Sequence, residues 1–383
     1  MTFLAATLAF AIIPNFATNK IYLFIAILVI FWIITVINYM GDRWSKTISS
    51  VGTIIGTVIP GIILILLAIL WIRSDQPIAI PWNGARSLLP DSFNLTSLAM
   101  VSTVILMFAG MEMAGYHTRE MKNPQRDYPR AMLISALIIF IITALGTLAI
   151  AFVVPAKDIA LASGLMQAFQ YFFSKLKMDW AVKPMAALVF IGGFALVSTW
   201  VIGPAKGMRG PSKDGLLPPT WSRINKYGVP TGVVTLQAIF GSFLALLFII
   251  IPIVNDAYWI LSALTTLILC IMYLMIFASA IRLRYTQPNH LRPFKIPGGK
   301  AGIFIVVGVG VLSSTFAFIV GFFPPSQLIS MRTDLYVLGM VIGVIVLSIP
   351  PFIFYLTKKP SWLKAAANQS ASEPNDTKTG EAP

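Results

Sequence analysis

An acid inside an apolar run is the first group in this chain that could do chemistry. Residues 106–130 read LMFAGMEMAGYHTREMKNPQRDYPR: an apolar phase meets Gly110, then Glu112, and leaves through a dense polar loop. A carboxylate at membrane depth is costly, so such a group marks a functional site by default. A glycine beside it weakens the helix where the acid sits. Together they predict a broken membrane helix carrying a site. The competing reading is an unbroken helix with a packing glycine and a glutamate facing a pore. Glu112 is the candidate proton-coupling or gating residue, against the alternative of a structural hydrogen bond to a neighbouring helix. His117 lies five residues on, and an imidazole suits pH sensing; a lone histidine at an interface is more often simply solvated.

Other chemistries leave no mark. The sequence has no phosphate-cradling glycine loop with its lysine and no metal-ligand cluster. No nucleophile has a base at a workable spacing, and the two histidines, His117 and His290, are far apart. The reading is therefore not an enzyme, with no cofactor, no catalytic residue and no metal. An ATP-driven pump has no support either. The single cysteine, Cys270, sits in an apolar run, where packing is its ordinary role.

The elements that must hold such a site follow from composition. Of 383 residues 57% are hydrophobic and only 11% charged, and the mean hydropathy is +0.83. A soluble domain carries about a quarter charged residues, so the chain reads as an all-α integral membrane protein. Long apolar runs point to helices rather than the short alternating strands of a barrel. Nine full spans are expected near 21–40, 47–72, 95–117, 131–154, 181–204, 231–253, 257–281, 302–323 and 334–356. Each is long enough at about 20 residues per crossing. Residues 3–13 are apolar but short, like the end of a helix whose beginning is absent. Residues 155–180 carry apolar and aromatic side chains at helical spacing, which predicts an amphipathic helix at the interface or over the pore. Residues 1–357 form the membrane domain, and 358–383 read as a polar, disordered tail.

The formal charge of +14 does not imply nucleic acid. The basic residues cluster in alternate short loops, among them Arg43 and Lys46, Arg119 to Arg130, Lys206 to Lys226, and Arg282 to Lys300. The positive-inside rule places these loops, and the C-terminus, in the cytoplasm. The basic segments 205–230 and 285–300 read as topology signals and contacts with anionic lipid. On this topology residue 1 falls near mid-bilayer, where a mature protein is not expected to start.

Four strings on the basic side are specific in combination. They are GMEMAGYHTREMKNPQRDYPRAM (110–132), GPAKGMRGPSKDGLLPPTWSRINKYGVP (203–230), RLRYTQP (282–288) closing an apolar run, and FKIPGGK (294–300). With FIVGFFPP (318–325) they give the chain a resemblance to the amino acid–polyamine–organocation superfamily, closest to its glutamate:GABA antiporter family. The resemblance implies a broken-helix, inverted-repeat bundle with its substrate at mid-membrane between two broken helices. It implies that the spans here are the family's helices 4 to 12, with 3–13 the end of helix 3 and the first two and a half helices missing.

The resemblance also implies a site and an activity. Leu106, Ala109, Gly110 and Met111 are then substrate-binding, because unwound N–H and C=O groups and a half-helix N-terminus suit an amino acid's charged ends. Trp200, in VSTWVIGP, matches a family tryptophan on the substrate path, and its ring suits an ammonium through cation–π attraction; plain helix packing is the competing reading. Tyr273 matches a family tyrosine. A second family tyrosine falls on Leu269, and a family acid falls on Leu196, which argues for a more apolar substrate than glutamate or GABA. The loop carrying Arg119, Glu120, Lys122, Arg126 and Asp127 is expected to tie helix ends together at an inner gate, or to be a solvated turn. The function implied is a secondary amino acid transporter of the bacterial inner membrane, working by exchange. The alternative is a non-transporting C-terminal fragment or accessory subunit of a split or decayed transporter. Its partners are small amino acids and the bilayer, not nucleic acid.

Overall fold

The computed structural model describes residues 1–74, 76–80, 95–155, 158–160, 162–251, 253–290, 292, 296–325 and 332–365; of 42–46, 95–97, 100, 101, 103 and 116–120 it describes the backbone alone. Helices account for the architecture, and no strand occurs among the described residues. The short helix α1 (Thr2–Ile12) is followed by α2 (Lys20–Tyr39), whose first turn is capped by the Asn19 side chain accepting from the Tyr22 amide at 3.0 Å. Next, α3 (Asp42–Thr53) runs through one π turn at Ile54–Val58 into α4 (Ile59–Arg73). Helix α5 (Leu95–Phe108) stops short and gives way to a 3₁₀ helix, Met111–Glu120. Then come α6 (Pro124–Val153), α7 (Gly164–Lys175), α8 (Val182–Lys213), α9 (Thr231–Ala245) and the single turn α10 (Leu247–Ile250). The chain ends with α11 (Val254–Thr286), α12 (Gly299–Val320) and α13 (Thr333–Leu356).

Eight helices among the described residues are long and apolar enough to cross a membrane. They match eight of the nine expected spans. The ninth, 95–117, is the interrupted one, so the predicted break is present. Some boundaries move. Helix α6 begins at Pro124, where a missing N–H costs nothing, so Pro129 lies inside the helix rather than at its start. Helix α8 runs nine residues past 204, through Pro204 and Pro211, to Lys213.

Helix α8 is the central post. It packs on α1, α3, the π turn, α2, α7 and α9, and small residues on it make this possible. A Cβ added to Gly56 in the π turn would lie 2.1 Å from the Gly192 amide nitrogen, so the two backbones touch. The π turn has a local cause: Pro60 lacks the N–H that would bond Gly56, and its ring crowds that carbonyl. The Ile59 N–H reaches back to the Ile54 carbonyl instead. Helix α1 is buried against this post, with Leu4, Ala5, Ala6 and Ala9 almost wholly covered. A second, smaller core joins Ala263 and Leu267 of α11 to Tyr336, Met340 and Val344 of α13.

Helix α7 is amphipathic as its spacing predicts. Its apolar face, with Met166, Phe169, Phe172 and Phe173, is buried against the protein rather than laid on lipid; Trp71 of α4 meets Phe172 edge-on at 5.5 Å. Outward faces remain apolar, with Leu133, Phe243, Leu312 and Tyr355 exposed, the surface that hydrocarbon solvates and that keeps every backbone bond inside a helix. Of the expected tail, 358–365 is described: Leu363 lies against Gly215, in the turn after α8. Residues 366–383 lie outside the described residues.

Candidate functional site at the helix break

The α5 helix ends because Gly110 takes φ +107°, a conformation that a side chain disfavours. The Ala109 amide bonds the Leu106 carbonyl at 3.2 Å, a tightened last turn. The Gly110 amide leaves the backbone ladder and donates to Glu112 Oε2 at 2.9 Å. From there the Met113 amide bonds the Gly110 carbonyl at 3.1 Å and the 3₁₀ helix proceeds. Met111 and Glu112 open that helix, where N–H groups have no partner within it. The acid thus caps the very break that exposes it.

The same carboxylate oxygen accepts a second bond, 3.1 Å from the Tyr273 hydroxyl on α11. The other oxygen, Oε1, is buried and has no hydrogen-bond partner among the described residues. A buried carboxylate oxygen without a donor is costly. Trp200 of α8 closes the opposite side: a Cβ placed on Gly110 would lie 2.7 Å from Trp200 Cζ2. Gly110, Glu112, Trp200 and Tyr273, from three separate parts of the sequence, therefore meet at one point. The structural hydrogen bond weighed for Glu112 is present, to Tyr273.

Residues that sequence reasoning missed set the aim of Trp200. Ser198 donates to Asn38 Oδ1 of α2 at 3.1 Å, with both side chains fully buried. Thr199 shares a 2.8 Å hydroxyl contact with Ser49 of α3. These bonds fix the rotation of α8 on both flanks of the indole. The signal available was the polar pair Ser198-Thr199 inside an apolar helix; its partners, some 150 residues away, had none.

The remaining expected residues are placed less tightly. Ala109 and Met111 flank the break and are half-buried. Leu106 lines an open cavity of about 340 Å³ with Ile27, Phe31, Gly241, Tyr258, Ser262 and Thr265 among its walls; Gly110, Trp200 and Tyr273 are not part of that lining. Leu196 is exposed on α8, and Leu269 is half-buried on α11. The side chains of His117, Arg119 and Glu120 lie outside the described residues, while Lys122, Arg126 and Asp127 are exposed. Asn225, in the loop after α8, donates to the Tyr39 carbonyl at 2.8 Å and ties that loop to the end of α2. No group of three or more potential metal ligands occurs among the described residues.

Residues 1–347 match the amino acid permease family. The chain is 40% identical to an uncharacterised transporter of Legionella pneumophila over 92% of its length and 76% of the relative's. It is 32% identical to a glutamate/gamma-aminobutyrate antiporter of Lactococcus lactis, over 88% of this chain and 68% of that one. A putrescine transporter of Escherichia coli is 26% identical over 75% of the chain and 62% of its own length. These relatives are membrane transporters, not enzymes.

Proposed function

We propose that this chain, which belongs to the amino acid permease family, is a secondary transporter that exchanges amino acids across the bacterial inner membrane by alternating access around the break at Gly110. The observation that carries the reading is the Glu112 carboxylate, held by the Gly110 amide and the Tyr273 hydroxyl with Oε1 buried and unpartnered. An amino acid's ammonium supplies the missing donor to Oε1, and the Trp200 ring against Gly110 adds an aromatic group suited to the same charge. The open backbone at Met111 and Glu112 suits the substrate carboxylate. Leu196 and Leu269 stand where the resembled antiporters carry polar groups, which favours an amino acid more apolar than glutamate or GABA. The basic loops, and with them the C-terminus, face the cytoplasm.

Exchange is tested with proteoliposomes: labelled leucine outside, unlabelled leucine inside. Uptake that requires the internal amino acid supports exchange, and uptake indifferent to it rules exchange out. The role of Glu112 as the proton-linked group is a separate hypothesis. Exchange measured across pH 5 to 8 should lose its pH dependence in Glu112→Gln; an unchanged profile removes that role and leaves gating.

A further inference from the structure

A second site lies away from the break, where α11 ends and α12 begins. The stretch from 257 to 333 contains no aspartate or glutamate, yet Arg282, Arg284, Arg292, Lys295 and Lys300 crowd into its middle. One of these has a structural task. Arg292 Nη2 donates to the Leu283 and Gln287 carbonyls, each at 2.8 Å, and closes the C-terminal end of α11. Arg284 and Lys300 differ: neither has a hydrogen bond or an ion pair among the described residues. Both line one cavity of about 120 Å³ between the helix ends, with Ile281, Tyr285, Ile303 and Phe304.

The walls decide what kind of anion fits. The Tyr285 and Phe304 rings sit 6.3 Å apart, tilted by 51°, and both are largely exposed. Leu283 and Ile305, next in sequence to Arg284 and Phe304, are exposed apolar residues as well. Two cations without partners among the described residues therefore share a cavity with aromatic and aliphatic groups at the ends of two membrane helices. Aromatic belts of this kind mark headgroup depth, and basic pockets between such helices suit phosphate headgroups. We propose that this cavity binds the phosphate of an anionic phospholipid, with Arg284 and Lys300 as its cationic partners and the acyl chains along Phe304 and Ile305. A free phosphate shares the headgroup chemistry but leaves the apolar wall uncovered.

The test uses the full-length protein, purified in detergent and stripped of lipid, with bound lipid counted by native mass spectrometry. Phosphatidylglycerol, phosphatidylcholine and inorganic phosphate are titrated separately. The expected result is selective binding of phosphatidylglycerol, weakened about 30-fold in Arg284→Gln/Lys300→Gln, since each basic group near a membrane surface contributes about 5-fold. Arg284→Lys should retain most of the binding. A control double variant, Arg223→Gln/Lys226→Gln, removes equal charge from another exposed loop and should leave the tight site intact. Equal losses in the two doubles would show diffuse attraction and overturn the site. Inorganic phosphate binding as well as the lipid would overturn the lipid assignment. Lys300 is exposed, so Lys300→Gln alone serves if the double variant does not fold.

Discussion

Two spans in this protein are interrupted at a glycine, and the interruptions do opposite things. At Gly56 the backbone stays helical, widens by one π turn and presses onto Gly192 of α8. The Ile59 amide finds the Ile54 carbonyl, so the widened turn stays within the backbone ladder. At Gly110 the backbone leaves the helix at φ +107°, and its amide is taken by a carboxylate two residues away. One glycine lets helices close on each other; the other lets a helix open toward polar groups. What separates them is the neighbour. Proline at 60 forces a local adjustment that packing absorbs, whereas Glu112 brings a charge that needs donors and finds two on one oxygen only.

If that contrast is right, the two regions must fail differently. The largest effect is expected at the packed one. Gly56→Val places a branched side chain against backbone atoms 2.1–2.4 Å from its Cβ, which costs more than about 3 kcal/mol. Size-exclusion chromatography should show little monodisperse protein, and a stable variant would mean that α4 and α8 can separate freely. At the break, Glu112→Gln should fold and elute normally but exchange amino acid about 10- to 100-fold more slowly, the scale of a hydrogen bond to a charged group. Normal exchange in that variant would make the acid structural. Tyr273→Phe removes one of the two donors to Oε2 while the Gly110 amide remains, so its exchange rate should fall about 3- to 10-fold. The smallest effect belongs to the support. Asn38→Ala leaves buried Ser198 without its partner, costing about 1–2 kcal/mol of stability and lowering the melting temperature with exchange retained.

The same contrast explains which parts of the molecule could be read from sequence. The Gly110 break was visible because glycine and glutamate interrupt an apolar run two residues apart, a local conflict that any reading of hydropathy meets. The π turn was not, because IIGTVIP continues the apolar phase without a charge and the turn depends on Gly192, a residue 136 positions away. Helix α7 was legible as an amphipathic helix, but its spacing could not say whether lipid or protein would cover the aromatic face. Spans were found to within a few residues except at the start of α6 and the end of α8, where the helices run through Pro129, Pro204 and Pro211, tolerated where neighbouring groups re-satisfy the freed carbonyls. Family resemblance put Trp200 and Tyr273 among the substrate residues, but the meeting of Glu112 with Tyr273 and of Gly110 with Trp200 is a finding of the fold that their spacing does not encode.

Thiol accessibility at the break tests the central claim most directly. The one native thiol, Cys270, is buried and can be replaced by serine to give a silent background. In that background Ala109→Cys, Met111→Cys and, as a control in the π turn, Thr57→Cys would each be labelled with a small water-soluble maleimide. Labelling is compared with and without a millimolar mixture of the apolar amino acids. The account predicts that the mixture slows labelling severalfold at positions 109 and 111 and leaves position 57 unchanged. Equal labelling with and without amino acid at both break positions would contradict it, because the substrate would then bind elsewhere.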